Sequence, residues 1–175
     1  MVSVEPIETR RLDDIGEIAA LDLLKIDVQG AELMVFEGAA RRLSDAVAVH
    51  TEVSFVPLYV GQPSFGDIDR ALRRHGFLPH AFAAIKRWAI APVAFSGNFR
   101  VPGNQLLEAD VVYVRDFGRP DAMRADQLAH LALLAHHVYG SVDLAHAALA
   151  ALVARKRADG RVLERYLEAV SAART

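Results

Sequence analysis

Residues 23–38 read Leu-Leu-Lys-Ile-Asp-Val-Gln-Gly-Ala-Glu-Leu-Met-Val-Phe-Glu-Gly, and this stretch decides the fold class. From Leu21 to Val28 the chain is a short apolar run with few charges, the pattern of a strand buried on both faces of a parallel sheet. Gln29-Gly30 ends it with a turn signal. Ala31 to Leu43 then carries Leu33, Phe36, Ala40 and Leu43 at helical spacing. A strand that runs through a tight turn into a helix is half of a βαβ unit, and the next segment supplies the rest. Ala46 to Phe55 is rich in β-branched residues and predicts a second strand. Pro57, Gly61 and Pro63 break the chain after it. Ser64 is placed to cap a helix over 65–75 whose inner face holds Ile68, Leu72 and His75, and Gly76 is placed to end it.

Outward from this core the signals weaken. Residues 2–9 alternate loosely, as one strand would, and Leu12-Asp13-Asp14-Ile15 reads as a short helix with its own acidic cap. Residues 77–93 are not divided by pattern alone. Val93 to Asn104 predicts an irregular loop, and Leu106 to Val114 a last strand. From Arg119 the style changes to alanine, leucine and charged residues broken at Gly140 and Gly160. Three helices are expected there, over 121–138, 142–157 and 159–172, with Leu128, Leu131, Leu134 and Val138 forming one apolar face.

Composition narrows the functions open to such a chain. With 175 residues and 53% hydrophobic residues it can bury a real core. A formal net charge of −2 gives no global basic field for nucleic acid. Trp88 beside Lys86 and Arg87 is one aromatic next to two cations, a weak signal. There is no cysteine, hence no disulfide, thiolate metal site or cysteine nucleophile. Glu5, Glu8, Arg10 and Arg11 interrupt any signal peptide, and no window reaches the roughly 18 apolar residues of a membrane helix. A soluble cytoplasmic protein is expected. Of the seven histidines, His130 and His137 share a helix face, but no metal-ligand spacing occurs and no metal is expected.

The residues quoted at the outset resemble the central motif of the FkbM family of S-adenosylmethionine-dependent methyltransferases. The likeness includes LLKIDVQGAE at 23–32, where Gln29 replaces a more usual acidic residue, and Gly38 at the end of the following helix. It continues through Thr51-Glu52-Val53, Pro57-Leu58-Tyr59, Gly76-Phe77 and Asn104 to Asp110. It implies a class I methyltransferase (Rossmann-like) α/β sheet with one antiparallel strand near its edge and a strand order of 3-2-1-4-5-7-6. Leu21–Val28 takes the place of the fourth strand, so the sheet is incomplete and lacks its first strands. Residues 1–118 are expected to form the C-terminal part of the methyltransferase domain and residues 119–175 a helical extension. The family binds its cofactor on a glycine-rich turn, yet no two of the 11 glycines here are separated by a single residue. Binding of S-adenosylmethionine by this chain alone is expected to be weak or nil, and no residue is assigned to the cofactor.

The resemblance and the strand ends together nominate a site. In an open α/β sheet, ligands sit beyond the carboxyl ends of the strands. Asp27 ends the first strand and Glu52 nears the end of the second, and both are expected to be catalytic. Two carboxylates there can accept the proton of an attacking hydroxyl, hydrogen-bond a substrate, or hold a divalent cation. Tyr59 and Glu32 are the expected substrate-binding residues, although Glu32 also suits the positive end of a helix. Lys25 is expected to pack its stem and send its ammonium to the surface. The expected reaction is O-methyl transfer to a hydroxyl of a small molecule or sugar, without nucleic-acid or membrane partners. The other reading is an inactive methyltransferase-like module for binding or assembly. An uncovered strand at Leu21–Val28 would also favour homo-oligomers through the sheet edge.

Overall fold

A computed structural model describes residues 5–98 and 100–173. It is a mixed α/β fold around one four-stranded sheet. The strands are β1 (Leu23–Ile26), β2 (Ala48–Ser54), β3 (Phe77–Trp88) and β4 (Gln105–Arg115). Their spatial order is β1-β2-β4-β3. β1 pairs with β2 in parallel, and β4 runs antiparallel to both β2 and β3. The connection from β1 to β2 passes through α1 (Glu32–Glu37) and α2 (Ala40–Asp45), and α3 (Phe65–Arg74) links β2 to β3.

Each face of the sheet has its own core. On one side Leu24, Ile26, Val49, Val53, Val111 and Tyr113 pack against Phe36, Leu43, Ile68 and Leu72 of α1–α3. On the other side Val47, Ala48, Val112 and Val114 pack against α4 (Ala125–His137) and α5 (Val142–Ala154) through Leu128, Leu131, Leu144 and Leu152. β2 and β4 are therefore lined by apolar side chains on both faces, which explains their β-branched runs. The final helix α6 (Arg161–Ala172) lies on α5 and has no buried residue. The tail helices thus share a core with the sheet, and Gln127 fastens them. Buried at the start of α4, Gln127 donates to the Ser44 and Asp45 carbonyls at the end of α2 at 3.1 and 3.0 Å.

Several expectations are corrected here. The helix expected over 31–43 is two helices, broken at Gly38-Ala39. Asp13 does not cap its own short 3-10 turn at Leu12–Asp14. Its carboxylate instead accepts from the Arg41 and Arg42 backbone N–H groups at 2.9 Å each, capping α2 from 28 residues away. β1 is fully buried on one face, by Leu24 and Ile26; on the other face Leu23 is only partly buried against the α4–α5 core and Lys25 is exposed. Among the described residues β1 has one sheet neighbour. Of the strand expected over 2–9, residues 5–9 have no regular structure and residues 2–4 lie outside the described residues. The Ser64 cap is as expected: it forms a capping box with Asp67 at the start of α3.

Candidate functional site

The parallel pair β1 and β2 ends on one side of the molecule, and their carboxyl ends deliver the site. After Ile26 the chain makes a turn in which Gln29 has φ 54° and Gly30 φ 100°. The first is an uncommon conformation for a residue with a side chain, and the second suits glycine. Glu32 holds this turn together. Its Oε1 accepts from the Val28 N–H and its Oε2 from the Gly30 N–H, both at 3.0 Å, and its side chain is buried. With both oxygens engaged, Glu32 acts on the site through the loop it shapes.

That loop presents Asp27 in a short relay. The Gln29 amide donates to Asp27 Oδ1 at 2.7 Å, and the Tyr59 hydroxyl donates to Gln29 Oε1 at 2.6 Å. Tyr59 sits in the loop after β2. There Gln62 accepts from the Leu58 N–H at 2.7 Å and the Tyr59 N–H at 3.3 Å, and donates to Ser54 Oγ at 2.7 Å. The two loops expected to face substrate are therefore joined, and Asp27 and Tyr59 belong to one network.

Glu52 lies on the face of β2 that also carries His50. Opposite it on β4 is Asp110, and Ser54 faces Glu108. Glu108 is buried and forms an ion pair with Lys86 of β3. Glu52, Lys86, Glu108 and Asp110 line one cavity of about 290 Å³ with Ala84 and Ile85. Burial pushes the Glu52 carboxyl up from 4.5 to about 7; the charges of Glu108 and Asp27 push in the same direction, and Lys86 opposes them. Burial and the Lys25 charge hold His50 below its ordinary value against the pull of Asp110. Near neutral pH the site therefore offers a carboxyl that exchanges its proton readily and a neutral imidazole.

Sequence reasoning missed Glu108, Asp110, Lys86 and His50 as neighbours of Glu52. The alternation in Ala46–Phe55 does place His50 on the face of Glu52, and the spacing of Glu108 and Asp110 puts them on one face of β4. Lys86 reaches Glu108 only through the β3–β4 register, which shifts at three places along the pair. Elsewhere, His80 Nε2 lies 2.8 Å from Ser141 Oγ, which donates to Asp143 at 2.8 Å. His80 must then donate to the serine, the reverse of what activates a nucleophile, so the trio is a tie between β3 and α5. His130 pairs with Asp22 at 2.6 Å and fixes α4 to the entry of β1. Among the described residues no group of three or more His, Asp or Glu side chains is placed to hold a metal ion, and no helix is long and apolar enough to cross a membrane.

Residues 2–79 match the sequence model of the family described as the Methyltransferase FkbM domain. This segment is similar to an FkbM methyltransferase domain. Among curated proteins, 2-O-methyltransferase NoeI of Sinorhizobium fredii (strain NBRC 101917 / NGR234) is 46% identical over 59 residues. That alignment covers 32% of this chain and 24% of the relative, so it spans about a quarter of the relative's length. No solved structure matches the chain. The matched segment contains Asp27, Gln29, Glu32, Glu52 and Tyr59, while Lys86, Glu108 and Asp110 lie beyond it.

Proposed function

We propose that this chain forms the acceptor side of an O-methyltransferase, with a hydroxyl of a small molecule or sugar as the group methylated. The observation that carries the proposal is Glu52, a carboxyl titrating at about 7 in the field of Asp27, at the carboxyl ends of two parallel strands. A base of that kind is half ionised at neutral pH and takes up a proton as a hydroxyl oxygen attacks. Asp27, held on one oxygen by Gln29, keeps its other oxygen for the acceptor. The relative's name, a 2-O-methyltransferase, supports oxygen as the atom that accepts the methyl group.

The sheet supports the same reading. The order β1-β2-β4-β3 with β4 antiparallel to its neighbours corresponds to the positions 4-5-7-6 of a class I methyltransferase sheet. In that assignment the first three strands would lie beyond β1, which among the described residues has no sheet neighbour on its outer edge.

The methyl donor of this reading is S-adenosylmethionine, which supplies a methyl group on a sulfonium. The residues present do not fit that donor: no glycine-rich turn occurs in the sequence, and the turn after β1 is filled by Gln29, Tyr59 and Gln62. Isothermal titration calorimetry of this chain with S-adenosylmethionine is expected to show weak binding or none. In a polypeptide that also carries donor-binding strands, Glu52→Gln is expected to keep the fold and to lower methyl transfer about 10²–10⁴-fold, and Asp27→Asn, which takes away the acceptor's hydrogen-bond partner, to lower it as well. A rate within a few-fold of the parent in Glu52→Gln would remove the proposal's base, and in Asp27→Asn would make Asp27 structural.

A further inference from the structure

We propose that Lys86 is a positioning residue for Glu52: held against Glu108 across the β3–β4 pair, its ammonium keeps Glu108 from sharing the Glu52 proton and leaves Glu52 free to act as the base. The inference rests on the methyl-transfer reading. It adds to that reading a residue outside the segment that matches the FkbM domain.

The course of β3 is what brings Lys86 to the site. Phe77, Leu78 and Pro79 lie opposite Arg115, Val114 and Tyr113. Continued unbroken, that register would set Ala84 opposite Glu108. Instead it shifts between Pro79 and Ala81 and again between Phe82 and Ala84, so that His80 and Ala83 are extra residues in β3. Lys86 therefore arrives opposite Glu108, and just past it the register shifts once more, with Arg87 opposite Leu106. Extra residues in one strand re-aim its side chains, and they gather beside active sites. Residues directly opposite in a sheet share a face. Lys86 is thus on the face of Glu108, Asp110 and Glu52, and lines with them the cavity of about 290 Å³.

Glu108 is opposite Ser54 and Asp110 opposite Glu52, so Glu108 stands diagonal to Glu52, within reach of a long side chain. Two carboxyls in one cavity tend to hold a single proton between them, and neither is then a simple base. Lys86 separates their roles. Its ammonium donates to Glu108 Oε2, and the hydrogen bond to Glu108 raises the lysine above its ordinary value, so the cation persists. Around Glu52 the charged groups are Asp27 at the end of β1, Glu32 in the turn beyond it, Glu108 and Asp110 on β4, and Lys86 on β3. His50 is on the same face of β2, flanked by Lys25 of β1 and by the Tyr139 ring at the end of α4. Lys86 supplies the positive charge that acts on Glu52. As a mere fastener the ion pair would add little, because β3 and β4 already pair from Phe77 to Trp88 and the lysine side chain is 59% exposed.

Carbon-13 NMR of the Glu52 side-chain carboxyl in the full chain tests the proposal. With the parent titrating at about 7, Lys86→Met is expected to move the midpoint up by about half a pH unit or more, and Lys86→Arg to leave it close to the parent's. Glu108→Gln is expected to move it down, because a negative charge goes and the ammonium stays. A fastening role would give no such opposite shifts. A Lys86→Met midpoint equal to the parent's would overturn the proposal while leaving Glu52 as the base. An equal shift in Lys86→Arg and Lys86→Met would overturn it too, since the arginine keeps the charge. A parent midpoint in the ordinary glutamate range would instead remove the methyl-transfer reading itself, and it is read before any variant is made. Lys86→Met decides alone if Glu108→Gln does not fold, because the exposed lysine leaves no hole in the core.

Discussion

Replacing Arg115 by alanine should be the most damaging single change outside the apolar core. Its guanidinium gathers backbone carbonyls from three places that meet at the start of β2. Nε donates to Ala46 at 2.7 Å, Nη1 to His75 at the end of α3 at 2.7 Å, and Nη2 to Ser44 at 2.7 Å and to Leu43, both in α2. The same group stacks over Phe77, 4.4 Å from the ring centre. Three of these four bonds are partly buried, so water replaces them poorly when the donor is removed. At about 1 kcal/mol net for each of the three, and about 0.5–1 kcal/mol for the ring contact, Arg115→Ala should cost about 3–4 kcal/mol. For a chain of this size that lowers the melting temperature by about 10 °C. Urea unfolding followed by circular dichroism measures it. Arg115→Lys keeps the charge but not the planar fan of donors, and should recover less than half of the loss. A loss below about 1 kcal/mol for the alanine variant would refute the reasoning.

Glu52→Gln should stabilise the protein in a pH-dependent way. The Glu52 carboxyl is raised from 4.5 to about 7, so the fold binds this proton more tightly than the unfolded chain does. Its contribution is therefore most favourable below pH 4.5, is lost between about 4.5 and 7, and leaves a penalty above. The full shift corresponds to roughly 3.4 kcal/mol, but the side chain is only partly buried, so a gain of about 1 kcal/mol is expected for the glutamine variant at pH 8 and none at pH 4. Urea midpoints at the two pH values decide it, and an equal gain at both would count against the assignment. Glu32→Gln cannot accept from both the Val28 and Gly30 N–H groups, and should cost about 1–3 kcal/mol in the same unfolding assay. Ser64→Ala removes the cap of α3 and should cost about 1 kcal/mol.

How much of this was legible in the sequence depended on whether the deciding contact was local. The β2 strand and α3 were legible because alternation, Ser64 and Gly76 lie within or beside the elements they define. The break between α1 and α2 was not, since Leu33, Phe36, Ala40 and Leu43 keep helical spacing across it and the cap comes from Asp13, far upstream. β1 read as a strand buried on both faces because its composition cannot report how far α4 and α5 extend over the sheet. In the site, Asp27, Glu52 and Tyr59 were legible from strand ends and the family resemblance. The tie from Tyr59 through Gln29 to Asp27 depends on two loops meeting, and the carboxyls that raise Glu52 depend on strand register. Neither is written in local pattern.

The central claim is that Glu52 is a proton acceptor poised at neutral pH beside Asp27. Carbon-13 NMR of the side-chain carboxyl of Glu52, followed from acid to alkaline pH in the parent and in Asp27→Asn, tests it without substrate or cofactor. The account predicts a midpoint at about 7 in the parent and a lower one in the variant, because the Asp27 charge is one of the forces holding the proton on. A parent midpoint in the ordinary glutamate range, about 4.3, or one indifferent to Asp27, would contradict it.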